Sequence, residues 1–284
     1  MANVVMYVAL YLMSAPIVGG LLTSADRNIK IKLMGGTAQP LFQPFYDVFI
    51  LMEQEDAAPN RFSDFFILLS FLFVLTAGSL FFAGESLLLV IFALTSAWVL
   101  LTTGLCIADP CCARRDVEAR LLRIMAFEPM AMMTAVGFYL HTGSFGVSEI
   151  ATFGQGSFLP LLGLFAGYVY ILTIRPWKAD MDLAARASGK SLALAEIGRW
   201  YENILLLGIV FLFFAGGTPV WTVAGIVVCL GICFVKAAAG SMLENIKWQF
   251  TFGSSWGAAA VLGSVNIAVL CIPDIMDIIF FYIG

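Results

Sequence analysis

Charge is what this sequence has least of. Only 12% of its 284 residues are Asp, Glu, Lys or Arg, while 61% are hydrophobic and the mean hydropathy is +0.95. Soluble domains carry about 25% charged residues, so an ordinary soluble domain is excluded. Histidine is nearly absent: the single His141 cannot supply the axial pair of a membrane haem, which excludes a haem-carrying cytochrome subunit. The six cysteines show no disulfide or zinc spacing. Cys229 and Cys233 lie one helical turn apart inside a span and Cys106, Cys111 and Cys112 at a membrane edge, so they read as small apolar core residues. No phosphate loop, dinucleotide fingerprint or metal-ligand spacing is present. There is no internal repeat, no separate soluble domain, and no lysine in the middle of any span, where a cation or proton antiporter is expected to carry one. The apolar runs are continuous rather than alternating with period two, which excludes a β-barrel. The chain is therefore expected to bind no cofactor or metal and to perform no redox chemistry by itself.

What is present are runs of 18 or more residues with few charges, long enough for a hydrocarbon core of about 30 Å. They predict an all-α polytopic membrane protein, a single integral membrane domain over 1–284, with eight spans at about 3–24, 64–83, 86–107, 124–142, 158–174, 200–217, 218–237 and 256–273. The first run has no basic n-region and is longer than a usual signal h-region, so it reads as a retained span. All 15 Lys and Arg residues fall in alternate connections: 25–63, 108–123, 175–199 and 236–255. The positive-inside rule then puts both termini outside and these loops in the cytoplasm of a multi-pass protein of the cell membrane. The opposite connections hold no basic residue. Two of them, FFAGES and AGGTPV, read as tight links in which Gly and Pro end one helix and begin the next.

The first basic loop contains PLFQPFYDVFILMEQED, which places Phe42, Phe45, Val48, Phe49 and Met52 on one helical face and Asp47 among the rest. That is the pattern of an amphipathic helix at the interface, with Pro44 in its first turn. Glu128 lies a few residues inside the fourth span and precedes Pro129, which removes a helix hydrogen bond. A carboxylate at that depth costs on the order of 2.5–3.5 kcal/mol on insertion scales and should face protein or water. It reads either as a proton-handling group or as a structural partner of Arg123 or Arg120. The segment 175–202 is a polar island carrying five basic residues and four acids. Glu196 and Glu202 each lie three residues from Arg199, so the three can meet on one helix face. They read equally as an interfacial ion cluster or as part of a proton path.

Several of these stretches resemble one family. GGTAQPLFQPFYDVFILMEQED is similar to the first cytoplasmic loop of the membrane protein that anchors the peripheral arm in respiratory complex I and in membrane-bound [NiFe] hydrogenases, formate hydrogenlyase among them. MAFEPMAMMTAVGFYLHTGSFGVSEI resembles that family's Glu-Pro span, and ENIKWQFTFGSSW its last cytoplasmic loop. SGKSLALAEIGRWYENILLLGIVFLFF, over 188–214, is most similar to the membrane anchor of energy-converting (group 4) hydrogenases. The resemblance runs from about residue 10 to 260. It implies a protein that binds no cofactor, lies in lipid under peripheral large and small subunits carrying [4Fe–4S] clusters and a NiFe site, and passes the redox event to antiporter-like membrane subunits. Carried over by position, Asp47, Glu128, Glu196 and Glu202 are the coupling acids. Arg27, Gln43, Tyr46, Arg175, Arg186 and Lys190 form the docking face. The family's Pro-Phe-Asp segment and following Glu-x-Ser-Gly are replaced here by RPWKADMDLAARASG, with Trp177 for the Phe and Arg186 for the Glu. Missing acids there argue against a quinone pocket of the complex I kind.

The expectation is a coupling and anchoring subunit of a redox-driven ion pump moving H⁺ or Na⁺, of the energy-converting hydrogenase type, with no nucleic-acid partner. The alternatives are a quinone-linked NADH dehydrogenase subunit, a stand-alone secondary transporter, and an anchor without coupling in which Glu128 is structural.

Overall fold

A computed structural model describes residues 2–54, 61–108, 114–153, 158–174, 189–216, 219–242 and 248–272. These residues are nearly all helical. In chain order the helices are α1 (Ala2–Leu33), α2 (Gln43–Glu53), α3 (Arg61–Ala83), α4 (Leu87–Ala108), α5 (Arg114–Thr142), α6 (Val147–Thr152), α7 (Leu162–Ile174), α8 (Gly189–Leu212), α9 (Pro219–Met242) and α10 (Trp248–Ala258). The last of these passes through a π-helical turn (Ala259–Gly263) and continues as helix over 264–272.

The centre of the bundle is α4. Leu87, Val90, Ile91, Leu94, Ala97 and Trp98 are buried along it, recurring at helical spacing on one broad face. Its long contact with α3 is set by small residues. Ser70 donates to the Ala97 carbonyl at 2.7 Å and Ser63 to that of Gly104 at 2.9 Å. With no apolar driving force between helices in lipid, close approach and such interhelical bonds are what hold a pair together. The Trp98, Phe127 and Tyr168 rings join α4, α5 and α7, with centroids 4.9 and 5.8 Å apart. Large apolar side chains cover the outside as well: Val5 and Met13 on α1, Phe62 on α3, Val220 and Val227 on α9, Val265 after the π turn. An apolar exterior of this extent marks a surface that lipid or other subunits cover.

Both tight links behave as their composition predicts. Gly84 closes α3 at φ +87° and Gly216 follows α8 at φ +76°, conformations that favour glycine. A Cβ on Gly216 would also sit 1.8 Å from the Phe153 carbonyl oxygen. Pro219 begins α9. The Gly/Ser-rich connection after α5 contains the short helix α6. Leu87 N–H donates to the Phe145 carbonyl at 2.8 Å and Val147 N–H to that of Glu85 at 3.0 Å, pinning this connection to the α3–α4 turn.

Helix ends differ from the expected span ends where charge begins. Among the described residues, five helical segments are long and apolar enough to cross a membrane: Val4–Leu33, Arg61–Ala83, Leu87–Ala108, Pro219–Ala239 and Gln249–Ile272. Of the eight expected spans, those matching α5, α7 and α8 do not meet that measure. The first turns of α5 are charged, α7 is 13 residues long, and α8 carries Lys190, Glu196, Arg199 and Glu202. Helix α1 continues past residue 24 to Leu33, and α8 starts eleven residues before the expected position 200, at Gly189. Charges lower hydropathy without breaking a helix, and here ion pairs neutralise them.

Candidate functional site

The described basic side chains gather at one end of the bundle, where the last turns of α1, all of α2, the first turns of α3 and α8, and the end of α9 meet. Apolar packing builds this end. Val48 of α2 is buried with Ala193 and Trp200 of α8, and Phe45, Leu51 and Ile197 pack around them. The Phe45 and Trp200 ring centroids are 5.1 Å apart. Helix α1 can reach this layer because it presents two glycines. A Cβ on Gly19 would come within 2.7 Å of the Trp200 backbone oxygen, and one on Gly20 within 2.4 Å of the Phe45 ring.

The face of α2 that packs inward is thus Pro44, Phe45, Val48 and Leu51, while Phe42, Phe49 and Met52, expected on that same face, are exposed. Apolar residues nearly encircle α2. One side meets α8, and the other looks out of the bundle.

With α1, α2 and α8 drawn together, four charged groups converge. Arg27 Nη1 donates to Asp47 Oδ2 at 2.6 Å and Nη2 to Glu196 Oε1 at 3.2 Å. Arg199 Nη2 donates to the same Glu196 oxygen, one turn along α8. Gln43 Nε2 donates to Asp47 Oδ1 at 2.9 Å, four residues back along α2. Two guanidinium groups thus face two carboxylates. Glu196 is 2% exposed and its second oxygen, Oε2, is buried with no protein partner. Buried charges persist when paired and hydrogen-bonded, and a carboxylate with one oxygen free has room to accept a further donor or a proton. Nearby, Ser191 of α8 donates to Asp64 of α3. Glu202 is 5% exposed, one to two turns further into α8.

The expected coupling acids therefore fall into two places. Asp47 and Glu196 share Arg27, and Glu202 follows them along α8. Glu128 stands apart on α5, half-buried, between the buried Phe127 and Met130, without a hydrogen bond or ion pair among the described residues. Pro129 lies inside α5, so the carbonyl of Met125 lacks its helix donor within a turn of Glu128. The side chains of Arg120 and Arg123 lie outside the described residues. Of the expected docking residues, Arg27 and Gln43 turn inward to hold Asp47, while Tyr46 and Lys190 are exposed. Arg175 and Arg186 lie outside the described residues.

Sequence reading passed over three polar residues at this end, Thr23, Asp26 and Asn203, and expected a fourth, Lys236, at the loop after the seventh span. Helix α9 instead continues to Met242, and the Lys236 ammonium reaches inward to donate to Asn203 Oδ1 of α8 at 2.8 Å. The available signal was spacing: Asp26 and Lys30 are four apart on α1 and pair at 2.7 Å.

No family model and no curated protein matches the sequence. Among solved structures, the chain is similar to one in the structure of the membrane-bound sulfane sulfur reductase (MBS), an archaeal respiratory membrane complex. That similarity has a TM-score of 0.78 at 17% identity, and it covers 94% of this chain and 99% of the other. The two chains share a fold over essentially their whole length.

Proposed function

We propose that this protein is the membrane-embedded coupling and anchoring subunit of a multisubunit, redox-driven ion pump, of the energy-converting [NiFe] hydrogenase type. The observation that carries the reading is the Arg27 bridge, which ties the amphipathic α2 and the head of α8 to α1 through the half-exposed Asp47 and the buried Glu196 at the basic end of the bundle. A peripheral subunit resting on α2 and on the exposed Tyr46 and Lys190 would push on that bridge directly. The fold shared with a chain of an archaeal respiratory membrane complex supports the same reading. In it the chain crosses the cell membrane eight times with both termini outside, α2 lies at the cytoplasmic interface, and the [4Fe–4S] clusters and NiFe site belong to the peripheral partners. Asp47, Glu196 and Glu202 form the near part of the coupling path, and Glu128 a more remote part that leads toward antiporter-like subunits.

Purification of the protein from its native membrane in mild detergent tests this. An iron–sulfur peripheral module should copurify and oxidise or evolve hydrogen with an artificial electron carrier. A module that reduces quinone instead would place the chain in a complex I-like assembly. A protein that runs alone and transports by itself would overturn both readings.

A further inference from the structure

A second polar site lies on the α9 side of α8. A cavity of about 70 Å³ lies among α1, α7, α8 and α9, lined by the polar Thr23, Asp26, Arg199, Asn203 and Lys236 together with leucines and Ile232. That is room for several waters, each needing roughly 10–15 Å³. Arg199 belongs to both sites: it lines this cavity and donates to Glu196 of the Arg27 cluster.

Two observations make water the occupant. Asp26 Oδ2 accepts from Lys30 at 2.7 Å, but Oδ1 is buried with no protein partner. A buried carboxylate oxygen is satisfied by a donor, and in a polar cavity of this size the donor is water. Lys236 holds the other end, with its ammonium on Asn203 and the charges of Asp26 from α1, Glu202 and Arg199 from α8, and the Cys233 thiol of its own helix around it.

We infer that this cavity is a hydrated proton-exchange site, in which Lys236 and Asp26 trade a proton through bound water. In the exchange an N–H bond of Lys236 breaks and an O–H bond forms on Asp26 Oδ1. A positive and a negative group become two neutral ones, so the net charge of the cavity is unchanged. That condition matters where dielectric is low, because an unbalanced charge is costly there. Arg199 lines the same cavity and donates to Glu196, so its fixed positive charge links the field of the exchanging pair to the Arg27 cluster without carrying the proton itself. The inference deepens the coupling reading by supplying it with a proton-exchange step electrostatically linked to the Arg27 cluster, while the hydration of the cavity stands independently of that reading.

The structure supplies its own reporter. Cys233 lines the cavity, whereas Cys229, one turn away, does not and instead donates to the Leu207 carbonyl. Two variants of the full complex in native membrane vesicles, each retaining only one of these cysteines, are treated with a charged methanethiosulfonate and with an apolar maleimide. Cys233 should react with the charged reagent about tenfold faster than Cys229, since thiol reactivity follows access and local charge. Equal rates, or labelling of Cys233 by the apolar reagent alone, would mean a dry or lipid-filled cavity and overturn the inference. The proton step is read separately, as ions moved per electron transferred. Lys236→Arg keeps the cation but holds its proton at any working pH, so this ratio should fall severalfold in Lys236→Arg and in Asp26→Asn, and recover in Asp26→Glu. An unchanged ratio in Lys236→Arg with a reactive Cys233 would leave a hydrated cavity without proton exchange and overturn that half. A chain that purifies alone would sink the coupling reading and leave the labelling result in force.

Discussion

Arg27 on α1 and Glu196 on α8 meet at 3.2 Å although 169 residues separate them in the chain. The contact closes a loop of structure that no local pattern specifies, and it draws α2 along because Arg27 also holds Asp47. Removing the guanidinium leaves Glu196 with Arg199 alone and Asp47 with Gln43. Breaking a fully buried pair by deleting one partner costs roughly 3–5 kcal/mol, and Arg27, still a third exposed, should cost less. Arg27→Met should destabilise the protein by about 2 kcal/mol, measured as thermal unfolding in detergent. A Tm equal to wild type would mean the bridge carries no structural load.

Gly19 and Gly20 give a sharper, steric test of the same junction. A methyl at Gly19 meets the Trp200 backbone, which cannot rotate away, while one at Gly20 meets the Phe45 ring, which can. Gly19→Ala should therefore cost about 1–3 kcal/mol and Gly20→Ala clearly less. The order of the two unfolding temperatures decides this, and the reverse order would contradict the packing described.

Glu128→Gln separates function from structure on α5. With no ionic partner among the described residues, the neutral amide should leave stability near wild type. In the complex proposed above, electron transfer with an artificial carrier should persist while coupled ion movement declines. Normal ion movement per electron in this variant would return Glu128 to a structural role.

The proposed eight crossings would place the connection at Gly143 and the head of α8 at Lys190 on opposite sides of the membrane. Single cysteines at these two positions, in a background without the native ones, should be labelled by an impermeant reagent from opposite faces of sealed vesicles. Labelling of both from one face would require fewer crossings.

Much of the fold was legible because lipid enforces simple patterns. Continuous apolar runs marked the long helices, and Gly84, Gly216 and Pro219 marked the ends of two links. The pairing of Glu196 with Arg199 followed from spacing on one helix. The partnership of Arg27 with Asp47 and Glu196 did not, because it depends on how three helices cross. Lys236 was misjudged for a related reason. Its charge read as the end of a span, yet α9 runs on past it and turns the ammonium inward. Which part of the apolar face of α2 would pack inward was not legible either, since Phe42, Phe49 and Met52 have the same chemistry as the residues that pack.

The backbone tie between the connection after α5 and the α3–α4 turn has a mechanical meaning. It fastens the His141 end of α5 to its neighbours and makes that end a fulcrum. Glu128 lies fourteen residues from Thr142, so at 1.5 Å per residue it sits about 21 Å along the arm. A tilt of only about 5° would swing it by about 2 Å. That throw is enough to make or break a hydrogen bond, so a small push at the basic end could bring Glu128 to a partner that it does not touch here.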